Sequence, residues 1–192
     1  MKKTFFTCFF LGMSVLPTLS KTYDKVDVLE RPVPISSIKD IKGFFGYRME
    51  VNRNYLKDFP IDKYVDFVVQ RQHTAWDWTK AEQHGKWIES AYLSAIQRND
   101  KALLDKARML KRIVDSQEES GYVGATSKDY RSDERPVRGM DAYELYFVFH
   151  AFITVYEETG DKASLAAAEK LADYYLKYFG PGKLEFWPSD LR

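Results

Sequence analysis

Asp100-Lys101-Ala102, with Leu104, Ala107 and Leu110 behind it, returns 61 residues further on as Asp161-Lys162-Ala163 with Leu165, Ala168 and Leu171. Each set follows another apolar, helix-compatible stretch, so the chain contains two helix-turn-helix units. In both, an aspartate stands at the start of the second helix, where its carboxylate can accept from the unpaired amides of the first turn. In the later unit Leu165, Ala168, Ala172, Tyr175 and Leu176 form one apolar stripe, opposite Lys162, Glu169, Lys170, Asp173 and Lys177. That spacing predicts an outer helix, wet on one side.

The first helix of this unit, about residues 142–158, reads differently. Leu145, Val148, Phe149, Phe152, Val155 and Tyr156 fill one face, and Tyr143, Tyr146, Phe147, His150 and Thr154 line the other. Two non-polar faces predict an inner helix, packed on an outer layer and turned towards a central cavity. The earlier unit echoes this more weakly, with Ile88, Ala91, Tyr92, Ala95 and Ile96 on one face and Trp87, Ser90 and Ser94 on the other. Alternating inner and outer helices describe an all-α toroid of hairpins, which two or three hairpins cannot close. Gly180-Pro181-Gly182 ends the last helix, and Lys183 to Pro188 then leads into a new segment that halts at Arg192. The expected organisation is therefore a truncated N-terminal part of a toroid over residues 39–192, with helix faces left open for neighbours.

Upstream, residues 40–59 fit a helix through Ile41, Phe44, Phe45, Met49 and Tyr55, stopped by Pro60, and a shorter one is expected over 62–70. Residues 21–38, with Pro32, Pro34 and a β-prone patch at Val26 to Leu29, read as an extended lead-in. The first 20 residues have a basic start, Lys2-Lys3, an apolar run from Phe5 to Leu16, and small residues through Ser20. This is the pattern of a cleaved secretory signal, and the run falls short of the roughly 18 apolar residues of a membrane span. The single cysteine, Cys8, lies within the apolar run and not at the cleavage site. The mature chain is thus expected to be exported, periplasmic or extracellular, with no disulfide, no lipid anchor and no membrane contact after cleavage. The full sequence has 29 basic and 28 acidic residues, and removing Lys2 and Lys3 with the signal leaves the chain slightly negative, a balance that points away from a nucleic-acid surface.

The aromatic fraction, 16% with four Trp and 13 Tyr, serves either core packing or stacking on sugar rings. From His73 to Glu89, the residues His73, Trp76, Asp77, Trp78, Glu82, Gln83, His84, Lys86 and Trp87 gather just before the earlier inner helix. On a toroid such a segment rims the cavity, where Asp77, Gln83 and His84 can bond sugar hydroxyls and Trp78 can stack. The same residues also suit an ordered surface loop with Asp77 or Glu82 capping the next helix. His150, beside Tyr146 on the aromatic face, is either a sugar ligand or a satisfied core histidine. Asp141 and Glu144 stand at N-cap and N3 spacing, which assigns them to a capping box. The connection from Gln117 to Gly139, with Gly121-Tyr122-Val123-Gly124, is long enough to suggest a functional loop. His73, His84 and His150 lie on separate segments without metal-site spacing, and neither a phosphate-binding glycine loop nor a serine-nucleophile motif is present.

Gly85-Lys86-Trp87-Ile88-Glu89-Ser90-Ala91, Gln117 with Gly121-Tyr122-Val123-Gly124, Glu144-Leu145-Tyr146 with His150, and Tyr156-Glu157-Glu158-Thr159-Gly160-Asp161 occur in that order. Together, over roughly residues 40–180, they make the chain resemble the β-L-arabinofuranosidase-like glycoside hydrolases, glycoside hydrolase family 127. The resemblance implies an (α/α)6 six-hairpin toroid and retaining hydrolysis of L-arabinofuranoside-like sugars on plant or other complex polysaccharides. It further implies a zinc-held cysteine thiolate as nucleophile and a glutamate as acid/base. Beyond Cys8 there is no cysteine, so no catalytic or metal residue is assigned here; zinc is expected only in a full-length enzyme, and the chain alone is expected to be inactive. His150 matches a substrate-contacting position of the family. An unsaturated-glucuronyl hydrolase, a polysaccharide lyase or a non-catalytic glycan- or protein-binding module remain the other readings.

Overall fold

The computed structural model describes residues 33–71, 81–137 and 141–185. The expected signal sequence, most of the expected lead-in, and His73, Trp76, Asp77 and Trp78 lie outside the described residues. Among the described residues the regular structure is helical: α1 (Gly43–Asp58), α2 (Ile61–Val69), α3 (Ala81–Arg98), α4 (Lys101–Ala107), α5 (Leu110–Asp115), α6 (Asp141–Thr159) and α7 (Lys162–Tyr178), with single 3-10 turns at Ile35–Ser37 and Lys128–Tyr130. None of these helices is long and apolar enough to cross a membrane.

The two repeated units turn in the same way. After α3, Asn99 takes the left-handed conformation (φ 52°), and after α6 Gly160 does so (φ 74°), the backbone state that ends helices cleanly. An aspartate comes directly after each. Asp100 accepts from the amide of Leu103 at 3.2 Å, and Asp161 accepts from Ala163 at 3.3 Å and Ser164 at 3.1 Å. The recurring Asp-Lys-Ala is therefore a helix start built on a side-chain cap.

Beyond their caps the two outer helices differ. α7 is continuous, whereas the corresponding outer helix of the first unit tightens at Arg108 and Met109, where amides bond three residues back, Met109 to Lys106 and Arg112 to Met109. Such a 3-10 turn alters the phase of the helix. Leu103, Ala107, Leu110 and Ile113 all remain buried across it. On α7 the buried stripe is Ser164, Ala167, Ala168, Leu171 and Tyr174; of the expected stripe Ala168 is buried, Leu165, Ala172 and Tyr175 are half-buried, and Leu176 is exposed, so the stripe sits about one position round from the expected one. The shift has a local cause in the small residues. Ser164, Ala167 and Ala168 let the 117–137 connection come close, so that the Gln117 side chain donates to the carbonyls of Ala167 and Gly121, both at 2.9 Å.

α3 is the centre of the unit, packed by α6, α1, α2, α4 and the Ile35 turn. Trp87, expected on its second face, is buried in the core; its indole N–H donates to the Leu56 carbonyl at 3.1 Å, and Lys106 Nζ lies 5.6 Å from its ring centroid. The core then runs without a break through Val65, Ile88, Ala91, Leu103, Ile113, Tyr122, Leu145, Phe152 and Leu171. Pro60 ends α1 by holding Phe59 extended (ψ 130°), and α2 starts directly after it.

The 117–137 connection is packed structure and not a free loop. Gly121 has φ 97°, and a Cβ there would stand 2.2 Å from the Lys170 carbonyl oxygen, so both conformation and space demand glycine. Residues 121–126 are buried. Arg131 covers the Tyr122 ring at 3.6 Å, donates to the Thr126 carbonyl at 3.2 Å and pairs with Glu118, which also accepts from Arg71 at 2.9 Å. Tyr174 OH donates to the Pro136 carbonyl at 2.7 Å.

Candidate functional site

α3 and α6 lie side by side at unusually close range because of Gly85. A Cβ at that position would come within 2.5 Å of the Phe147 carbonyl carbon and 2.8 Å of its Cβ. The approach sets one face of each helix edge to edge. From α3 it carries Glu82, Lys86 and Glu89, and from α6 Tyr143, Tyr146, Phe147, His150 and Thr154.

Lys86 bridges the two helices. Its ammonium pairs with Glu82 at 2.9 Å and stands 4.3 Å from the Phe147 ring centroid and 5.5 Å from that of Tyr143. The hydrogen bond to Glu82 is the chief reason its pKa is raised above the ordinary lysine value. Glu89 accepts from the Thr154 hydroxyl at 3.2 Å and has His150 Nδ1 at 3.9 Å from the same oxygen. Tyr146 and His150 lie against each other with centroids 4.4 Å apart and planes tilted by 49°, and Tyr143 and Tyr146 each meet Phe147 edge-on at 5.1 Å. Aromatic faces beside a cation, a carboxylate and an imidazole form the kind of surface that stacks on a sugar ring and bonds its hydroxyls.

Of the residues singled out in the sequence, the structure brings His150 and Tyr146 together on this face, and both are accessible to solvent. His150 is thus not the buried residue its helix position suggested: its side chain is 46% accessible. Gln83 lies on α3 and donates to Glu82 at 3.2 Å. His84 points inward, 1% exposed, with no hydrogen-bonding partner for either ring nitrogen among the described residues, and burial lowers its pKa from 6.5 to about 3. It is a neutral core residue, out of reach of this face. Asp77 and Trp78 lie outside the described residues. Lys86 and Glu89, present in the quoted motif but not singled out as ligands, are what the sequence reading missed. Their i, i+3 spacing on the edge that Gly85 presses against α6 was the available signal.

Asp141 does more than its spacing suggested. It is the first residue of α6 and fully buried, accepting from Tyr122 OH at 3.1 Å and Thr126 Oγ1 at 2.8 Å. Its carboxylate ties the 117–137 connection to the root of the aromatic helix. Burial, reinforced by the Asp141 charge, drives the Tyr122 phenol well above its ordinary pKa. Among the described residues no three His, Cys, Asp or Glu side chains gather where they could hold a metal. The described residues therefore do not fit the zinc that the resemblance implies, and no chemistry is assigned through it.

The family model for the β-L-arabinofuranosidase GH127 catalytic domain matches residues 37–186. The chain belongs to that family of glycoside hydrolases, through its catalytic domain. A solved structure, the GH127 β-arabinofuranosidase BT3674, aligns with 82% of this chain at 22% identity and a TM-score of 0.61, which places the helices in the GH127 six-hairpin fold. The chain spans 29% of the length of that protein. Among curated proteins, none matches in sequence.

Proposed function

We propose that the α3/α6 face is one wall of the sugar site of an exported GH127-type hydrolase. Its substrate is an L-arabinofuranoside-like residue on a plant or other complex polysaccharide, cleaved with retention by a nucleophile that the described residues do not supply. The observation that carries this reading is the convergence of Lys86, Glu89 and His150 with Tyr143 and Tyr146 on one accessible surface in a chain of this family. In this arrangement Tyr146 and His150 offer a stacking surface, Glu89 accepts from a sugar hydroxyl, and Lys86 donates to one. Export rests on the sequence of the first 20 residues.

The test is hydrolysis of aryl L-arabinofuranosides by the protein together with any polypeptide that completes its domain, with and without a chelator. The expected result is chelator-sensitive release of the aryl group, with none from the 192-residue chain alone. Losing a hydrogen bond to a charged group at a sugar hydroxyl weakens transition-state binding by about 1.5–3 kcal/mol, so Glu89→Ala or Lys86→Ala lowers kcat/KM about 10- to 100-fold. Unsaturated uronide products would instead identify a lyase. Glycan binding without turnover in the completed domain would identify a non-catalytic module.

A further inference from the structure

Asp141 begins α6, the helix that carries Tyr143, Tyr146 and His150, and it is fully buried. Both carboxylate oxygens accept from hydroxyls of the 117–137 connection, Oδ2 from Tyr122 at 3.1 Å and Oδ1 from Thr126 at 2.8 Å. The Thr126 amide closes the ring of bonds by donating to the Tyr122 oxygen at 3.1 Å. A buried carboxylate is a poor source of stability, because its lost hydration offsets most of what its bonds return. What it supplies is direction: two donors on separate oxygens fix where the first turn of α6 stands.

The donors are held from their far side. The Arg131 guanidinium lies 3.6 Å over the Tyr122 ring and pairs with Glu118, which also binds Arg71, just past the end of α2. Tyr174 of α7 meets the Tyr122 ring edge-on at 5.5 Å, and Gly121 is pressed against the Lys170 carbonyl of the same helix. α2 and α7 therefore set where Tyr122 stands, and Asp141 passes that position on to α6. A second fixed point lies further along α6, where the Phe147 backbone meets Gly85. Two such points stop α6 from rolling about its axis, and Tyr143 and Tyr146 stand between them. We infer that Asp141 is a positioning residue for the α3/α6 face: through Tyr122 and Thr126 it sets the roll of α6 that presents Tyr143 and Tyr146 to substrate, without touching substrate itself. Its effect on substrate affinity rests on the reading of that face as a sugar wall; its effect on the neighbours of Tyr143 rests on packing alone.

The experiment compares Asp141→Asn with the parent, each together with any polypeptide that completes its domain. An amide keeps the shape and one acceptor oxygen but turns an amino group towards the second hydroxyl, so the first turn of α6 shifts. The first readout is the nuclear magnetic resonance signal of the Lys86 ε-methylene in protein carrying isotope-labelled lysine, assigned with Lys86→Arg. The Phe147 and Tyr143 rings, 4.3 and 5.5 Å from the Lys86 ammonium, displace that signal from the position of an exposed lysine. In Asp141→Asn it moves back towards that position. The second readout is hydrolysis of an aryl L-arabinofuranoside: KM rises about 3- to 10-fold, the worth of one hydrogen bond, with kcat within about twofold, the pattern of lost uniform binding. Asp161→Ala, which costs stability at the α7 cap away from this face, leaves both readouts at the parent's values. If Asp141→Asn does not fold, Thr126→Val removes a single donor and gives smaller changes of the same sign. A parent-like Lys86 signal in the folded variant overturns the inference, whatever the completed domain hydrolyses. A moved signal with unchanged KM in an active enzyme overturns it too, as does an equal change in Asp161→Ala, which marks lost stability alone. A moved signal in a domain that hydrolyses no arabinofuranoside ends the sugar reading and supports the hold of Asp141 on the face.

Discussion

Replacing His84 by Leu should flatten the acid sensitivity of this fold. The imidazole is fully buried, has no hydrogen-bonding partner for either nitrogen among the described residues, and is held neutral down to about pH 3, against 6.5 for a free histidine. The folded pKa is the lower one. The unfolded chain therefore takes up a proton between these values and the folded chain does not, so stability falls as pH drops below 6.5. Each pH unit is worth about 1.4 kcal/mol. At about pH 5 the loss relative to about pH 8 is about 2 kcal/mol, growing towards about 5 kcal/mol near pH 3. Urea unfolding followed by circular dichroism at these two pH values reads this directly, as a midpoint lower by about 1 M in the acidic sample for a urea slope of about 2 kcal/mol/M. The carboxylates with lowered pKa values, such as Asp161, give up their contribution only further into acid, which makes about pH 5 the diagnostic point. In His84→Leu the difference between the two pH values should shrink by about 2 kcal/mol. At about pH 8 the variant should match or exceed the parent, because an unpaired buried polar ring has been removed. If the variant keeps the parent's full pH dependence, the neutral buried histidine is not its source.

Three further substitutions probe the scaffold of the site. Gly85→Ala drives a methyl group into the Phe147 backbone and should destabilise by about 2 kcal/mol or more, seen as a lower thermal midpoint; an unchanged melt would mean that α3 and α6 are not pressed together there. Tyr122→Phe removes the hydroxyl that donates to Asp141 and accepts from the Thr126 amide, and should lower stability by about 1–3 kcal/mol in chemical denaturation. Asp161→Ala deletes the α7 cap at about 1 kcal/mol, and because its pKa is lowered, first by the Ser164 hydroxyl, the difference from the parent should vanish as acid protonates the carboxyl.

Residues 100–104 and 161–165 were legible as helix starts because capping is local: an aspartate and the amides it serves lie within one turn. Helices α1, α2 and α6 likewise follow from periodicity and from Pro60, with ends within about three residues of those expected. The face each helix presents was harder. On α7 the apolar residues outnumber those one face can bury, and the choice of Leu171 and Tyr174 over Leu176 was made by the connection that leans on Ala167 and Lys170.

The same distinction governs the candidate site. Sequence by itself determined the class of fold, the hairpin turns, the family and the placement of His150 and Tyr146 on one helical face, because all of these are written in spacing along the chain. Tertiary structure decided that Trp87 and His84 are core residues, that Asp141 is a buried acceptor for Tyr122 and Thr126, and that Lys86 and Glu89 stand beside the aromatic face of α6. Those outcomes depend on which surfaces meet, and the meeting of α3 with α6 is set by a missing side chain at Gly85, whose effect appears only when the Phe147 backbone arrives against it.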